Sequence, residues 1–264
     1  MTKARMPDQK IPFTAHLEEL RRRLIISFIA VIAGFLVAYA FSDRIFDILN
    51  RDLISTLREH GETLQYINPT EAFFTSIKVA ILAGVFLVLP IIFYQFWMFV
   101  SPGLYRKEKR MVIPFVIFST LCFLAGASFG YFFVFPYAFK FLLGYSIGGA
   151  TARPTLSSAL AFVSKLLLAF GLIFELPVIT FFLARIGLIT HRTLTKNRRY
   201  FIVIAFIAAA ALTPPDVFTQ LLMAGPLIVL FEISVIVARV FGKKPLTDSK
   251  GDLVDEEEPG HPAD

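Results

Sequence analysis

"RRRLIISFIAVIAGFLVAYAF", Arg21 to Phe41, admits two readings, and the choice between them sets the fold. Three arginines, an apolar stretch and an Ala-x-Ala at Ala38 to Ala40 have the order of a cleavable secretory signal. The apolar part, Leu24 to Phe41, outruns the roughly 7–15 residues of a signal core and comes close to the ~20 needed to cross a bilayer. Everything after it would also be membrane. The stretch is therefore expected to be a retained first span.

The rest of the chain reads the same way. Of 264 residues, 56% are hydrophobic and 17% charged, with 30 Phe; the mean hydropathy is +0.68. A soluble domain carries about 25% charged residues and could not bury this much Phe, Leu and Ile in one core. The expected class is an all-α polytopic membrane protein. Six spans are expected, at about 24–41, 71–100, 112–135, 160–184, 200–212 and 217–241, in one domain covering residues 1–242. The fifth is short for a span. Pro90, Pro114, Pro177 and Pro226 remove a backbone donor inside these stretches and Pro136 at the end of the third, so the helices should kink and form a concave, glove-like wall. The loop over residues 42–70 reads as an amphipathic helix outside the membrane, and the acidic tail 243–264 as disordered.

Loop charge sets the orientation. Nineteen Lys and Arg fall at the N-terminal segment, the loops after spans two and four, and the C-terminal end, against five in the other loops. The positive-inside rule then puts both termini in the cytoplasm, in agreement with an even span count. The single cysteine, Cys122, cannot form an internal disulfide, and no Cys/His cluster has metal-ligand spacing. No cofactor or metal is expected, and nucleic acid is not among the expected partners.

In so apolar a chain the informative residues are acids near or inside the membrane, where each ionisable group costs about 2.5–3.5 kcal/mol or more. Glu175 lies mid-span in "AFGLIFELPVITFF", just before Pro177. Lys78 and Lys165 could snorkel to the outer interface, and Glu232 could pair with a neighbouring helix. "FTAHLEELRRRL", Phe13 to Leu24, resembles a capped amphipathic helix with Thr14 as cap. In it Glu18 can pair with Arg21 or Arg22, and Glu19 with Arg22 or Arg23. Glu108, in the otherwise basic "VSPGLYRKEKR" (Val100 to Arg110), is either a helix-dipole acid for span three or half of a site. Glu19 and Glu108, if packed together, would suit a pair of guanidinium groups.

At "HLEELRRRL" (16–24), "SPGLYRKEKR" (101–110), "FGLIFELP" (170–177) and "LTPPD" (212–216), in that order, the chain resembles TatC, the large membrane subunit of the twin-arginine protein translocase. The resemblance covers nearly all of residues 11–242. It implies a receptor for twin-arginine signal peptides of folded precursors, exporting them across the bacterial cytoplasmic (inner) membrane on the proton-motive force. It further implies TatA and TatB partner subunits, contact with membrane lipid, and several copies within a larger complex. By the same resemblance Glu19, Glu108 and Phe99 bind the signal peptide, Glu175, Asp216 and Gln220 contact partner helices, and Pro214 and Pro215 form the outer hinge. No catalytic residue is implied, and the chain is not expected to be an enzyme. The competing expectation is a proton- or ion-coupled small-solute transporter working through Glu175; sparse polar residues and the lack of an internal repeat weigh against it.

Overall fold

The computed structural model describes residues 13–59, 63–65, 67–100, 112–144, 154–212 and 217–242. The described residues are almost wholly helical; their one β feature is an isolated bridge between Gln65 and Thr155. The helices are α1 (Phe13–Tyr39), α2 (Ser42–Leu49), α3 (Arg51–Glu59), α4 (Pro69–Leu87), α5 (Leu89–Val100) and α6 (Val112–Phe129). They continue through α7 (Phe135–Gly144), α8 (Leu156–Phe174), α9 (Leu176–Arg185), α10 (His191–Lys196), α11 (Arg198–Leu212) and α12 (Val217–Phe241). The tail 243–264 lies outside the described residues.

Among the described residues five stretches are long and apolar enough to cross a membrane: His16–Tyr39, Pro69–Leu87, Val112–Phe141, Leu156–Arg185 and Gln220–Phe241. The expected fifth span, 200–212, is a helix, but at 15 residues, two of them arginines, α11 falls short of that length. The surface and membrane parts of the first segment form one helix, because nothing between Phe13 and Tyr39 breaks the ladder. Thr14 accordingly lies inside the first turn rather than ahead of it. The expected single helix in the 42–70 loop is two, parted at Asn50.

Proline acts differently at each place. Pro90 stands in the first turn of α5 and Pro177 in that of α9, each just after a break in the helical ladder, at Val88 and Glu175. Before Pro136 the chain forms a π turn, Gly130–Val134, in which the Phe135 N–H donates to the Gly130 carbonyl. Pro226 sits within an unbroken α12, and Pro114 in the first turn of α6, where its missing donor is not needed.

Packing relies on small residues, as it must where lipid supplies no hydrophobic drive between helices. A Cβ on Gly34 of α1 would stand 2.7 Å from the Gly84 carbonyl of α4, and one on Gly126 of α6 would overlap the Phe170 carbonyl of α8. Around these contacts Phe135, Val163, Leu166 and Phe170 form a buried core, joined by Leu53 and Leu57 of α3 and Met223 of α12. Large apolar side chains such as Leu24, Phe28, Ile117, Leu172 and Val240 stay exposed around the outside, as a lipid-facing surface requires.

Contacts between ends define two sides. Aromatic pairs join Trp97 of α5, Phe115 of α6, Phe181 and Phe182 of α9 and Phe241 of α12 on one side. On the other, the Tyr131 hydroxyl donates to the Ile48 carbonyl at 2.6 Å. There the Glu71 carboxylate also accepts from the Ser157 and Ile67 N–H groups at 2.9 and 3.0 Å, tying α4 to the start of α8. Lys78 joins this second cluster, its Nζ donating to the Ser157 hydroxyl at 3.3 Å, and Lys165 is exposed.

Candidate functional site

The first acid sits where α1 meets α5. Glu19 and Arg23 are four residues apart and share a helix face. Arg23 Nε and Nη2 both donate to Glu19 Oε1, at 3.0 and 2.5 Å, while Nη1 donates to Gln95 Oε1 at 3.2 Å. Toward the helix start, the His16 ring stacks on Phe99, with centroids 4.4 Å apart and planes at 17°. The two contacts run in opposite chain order, His16 with Phe99 and Arg23 with Gln95, so α1 and α5 zip together antiparallel. Glu19 lies between the two rungs. A cavity of about 480 Å³ opens beside it, lined by Glu18, Glu19, Arg22, Arg23 and Ile26. Among the described residues nothing bonds Glu19 Oε2, so the carboxylate keeps acceptor capacity toward that cavity.

Of the expected site residues the structure thus brings Glu19 and Phe99 to one junction. Glu108, Asp216, Pro214 and Pro215 lie outside the described residues. Of the two arginines open to Glu19 by spacing, Arg23 is its partner, because only Arg23 also reaches an acceptor on α5. His16 and Gln95 were not among the expected site residues. The sequence signal for His16 is weak: it stands three residues before Glu19, on the same face. Gln95 could not be paired with Arg23 from sequence, since the two are 72 residues apart.

The second acid is enclosed. Glu175 is 4% exposed, at the break between α8 and α9. One turn along α9, Val178 belongs to a buried cluster with Trp97, Val112, Val116 and Phe182. Trp97 Nε1 donates to the Ser119 hydroxyl at 2.8 Å, both groups buried, and Ser119 in turn lies beside the Glu175 carboxyl. Glu175 Oε1 has no hydrogen-bond partner among the described residues. A buried acceptor left open costs about 1–3 kcal/mol, so this position is held at the expense of stability. Trp97 and Ser119 were missed from sequence; a lone Trp and a Ser in apolar runs carry no periodic signal.

Gln220 bridges rather than stands free: its Nε2 donates to the Phe206 carbonyl at 3.1 Å, fastening α12 to α11. Glu232 has the neighbouring-helix partner proposed for it, Arg198, at 2.8 Å. Both side chains are more than 40% exposed to whatever surrounds the protein. Among the described residues no three His, Cys, Asp or Glu side chains stand close enough to hold a metal ion.

The chain matches the profile of the family described as Sec-independent protein translocase protein (TatC) over residues 15–226. It is 55% identical over 243 residues to the TatC protein of Desulforapulum autotrophicum, covering 92% of this chain and 90% of that one. To the TatC protein of Aquifex aeolicus it is 44% identical over 236 residues, covering 89% and 97%. Its fold matches a crystal structure of twin arginine translocase receptor TatC in DDM with a TM-score of 0.76 and 43% identity, over 85% of this chain and 99% of that one. A second crystal structure of that receptor gives 0.74 and 44%, over 84% and 97%.

Proposed function

From the premise that the chain belongs to the TatC family, as a non-enzymatic membrane subunit of the Sec-independent protein translocase, we propose that it is the subunit that receives twin-arginine signal peptides. The observation that carries this reading is the α1–α5 junction, where Glu19 lines an open cavity and Phe99 stacks on His16 one turn toward the start of α1. A carboxylate with a free oxygen accepts a guanidinium fork, and an aromatic ring beside it takes the apolar part of the peptide. Glu108 supplies the second acid, giving one carboxylate for each arginine.

The rest of the proposed mechanism builds on this end. Glu175 accepts a hydrogen bond from a polar residue of a partner's transmembrane helix once the aromatic cluster opens. Its unpaired Oε1 and its place at a helix break favour that role. Asp216 and Gln220 contact partner helices at the opposite end, where Pro214 and Pro215 form the hinge. TatA and TatB type subunits supply the passage, several copies of the chain act in one complex, and the proton-motive force drives transport. The domain is read as six spans over residues 1–242, with α11 as the short fifth, and 243–264 as an acidic tail. The chain lies in the bacterial inner membrane with its basic loops and both termini in the cytoplasm, in line with the excess of Lys and Arg on the α1–α5 side.

The test is binding of a fluorescent synthetic Arg-Arg signal peptide to the full-length chain in lipid nanodiscs. Glu19→Ala and Glu108→Ala should each weaken binding by more than tenfold, and a Lys-Lys peptide should bind poorly to wild type. Equal binding of both peptides to all three proteins would defeat the receptor reading and turn attention to Glu175.

A further inference from the structure

We propose that Trp97 is a positioning residue that ties the buried acid, Glu175, to occupancy of the α1–α5 junction. This rests on the reading of that junction as the signal-peptide site and adds what the bound signal does next. α5 presents two unlike faces within five residues. Gln95 and Phe99, four apart on one face, meet Arg23 and His16 of α1. Trp97, between them in the chain, is turned about 200° away by the helix period and is 3% exposed. Its ring packs on Phe115 of α6 and Phe182 of α9, each with a centroid distance of 5.0 Å. Its Nε1 donates to the Ser119 hydroxyl of α6, and Ser119 stands beside the Glu175 carboxyl.

Ser119 gives this chain of groups a direction. Thr120, Ser164 and Ser234 each return their hydroxyl hydrogen to the carbonyl four residues earlier. Among the described residues Ser119 makes no such bond. An indole N–H only donates, so Ser119 meets Trp97 as an acceptor and keeps its own hydrogen for the acid. α5 has 12 residues and begins after the break at Val88, so it can shift without carrying α4 along. A short helix moves as a rod. A peptide that loads the Gln95 and Phe99 face therefore displaces Trp97 as well. A displacement of about 1 Å takes a bond of 2.8 Å beyond hydrogen-bonding range. Occupancy of the exposed acid is thus felt at the buried one, although the two acids do not touch.

Trp97 is the only tryptophan in the chain, so intrinsic fluorescence reports this position alone. The full-length chain in phosphatidylglycerol–phosphatidylethanolamine liposomes is titrated with a tryptophan-free Arg-Arg signal peptide, and binding is followed in parallel by the anisotropy of a labelled copy. The Trp97 emission maximum should shift saturably, with the midpoint of the binding curve. A peptide that binds and leaves Trp97 emission unchanged overturns the coupling. Glu19→Ala keeps the two levels apart. Undiminished binding in that variant removes the receptor reading itself, whereas lost binding there with a silent Trp97 in wild type removes only the coupling. A double-mutant cycle in a vesicle export assay then separates positioning from packing. Trp97→Phe keeps an aromatic ring and loses the N–H. It should bind the peptide within twofold of wild type and lower export about fivefold, the scale of one neutral hydrogen bond. With Glu175→Gln already present, it should lower export less than twofold further. Losses that multiply in the double variant overturn the proposal and make Trp97 a packing residue. Should Trp97→Phe fail to accumulate, the same cycle with Ser119→Ala decides, and multiplying losses there are equally fatal.

Discussion

Glu19 and Glu175 are the same residue in opposite surroundings. Glu19 lies at a helix junction with one oxygen engaged by an arginine and the other open toward a cavity. Glu175 is buried at the α8–α9 break, with Ser119 beside its carboxyl and Oε1 unpaired among the described residues. An acid of the first kind can exchange partners at small cost, because water and a neighbouring amide take up whatever is released. One of the second kind can take a partner only if the surrounding helices part. The difference assigns the two ends of the proposed cycle: selection at the exposed acid, and a later, gated contact at the buried one.

Four substitutions probe that division, and the largest effect belongs to the exposed acid. Glu19→Ala should cost signal-peptide binding on the order of 2–5 kcal/mol, since it leaves Arg23 and the incoming arginine without their anion; peptide titration measures this. Gly126→Val comes next. Its side chain would meet the Phe170 carbonyl and the Phe174 ring, with nothing flexible to give way on the backbone side. It should lower thermal stability by about 1–3 kcal/mol and impair export, while binding at the α1–α5 junction stays within about twofold in the folded fraction. Glu175→Gln preserves volume and replaces the carboxyl with an amide. Export in a vesicle transport assay should fall about tenfold, the scale of one interhelical polar contact, with peptide binding unchanged. Smallest of all, Glu232→Gln breaks an ion pair exposed on both sides and should shift thermal stability by about 0–1 kcal/mol.

How much of this was legible in the sequence follows from range. The membrane class and the apolar stretches could be read directly, because a bilayer demands long uncharged runs. Breaks at Val88 and Glu175 followed from Pro90 and Pro177, where the cause is local. The length of α1 was harder: the charged start and apolar remainder look like two elements, yet no residue between them ends a helix. The short α11 was visible as a short apolar run, though not its start at Arg198, whose guanidinium finds Glu232 on another helix. The least legible features were long-range. Spacing narrowed Glu19's partner to two arginines, but the choice of Arg23 depends on Gln95. Likewise Trp97 and Ser119 gain meaning at Glu175 only when α5, α6 and α9 are packed together. The acids themselves stood out because charge near lipid is costly; the neutral groups that position them carried no such mark.

The most direct measurement is photo-crosslinking in inverted membrane vesicles from a probe placed at Phe99, using precursors with Arg-Arg or Lys-Lys signals against wild type and Glu19→Ala. The account predicts a crosslink to the Arg-Arg precursor in wild type, little to Lys-Lys, and loss of the signal in Glu19→Ala. Crosslinking that is indifferent to both the arginines and Glu19 would contradict it, leaving the α1–α5 junction a structural contact.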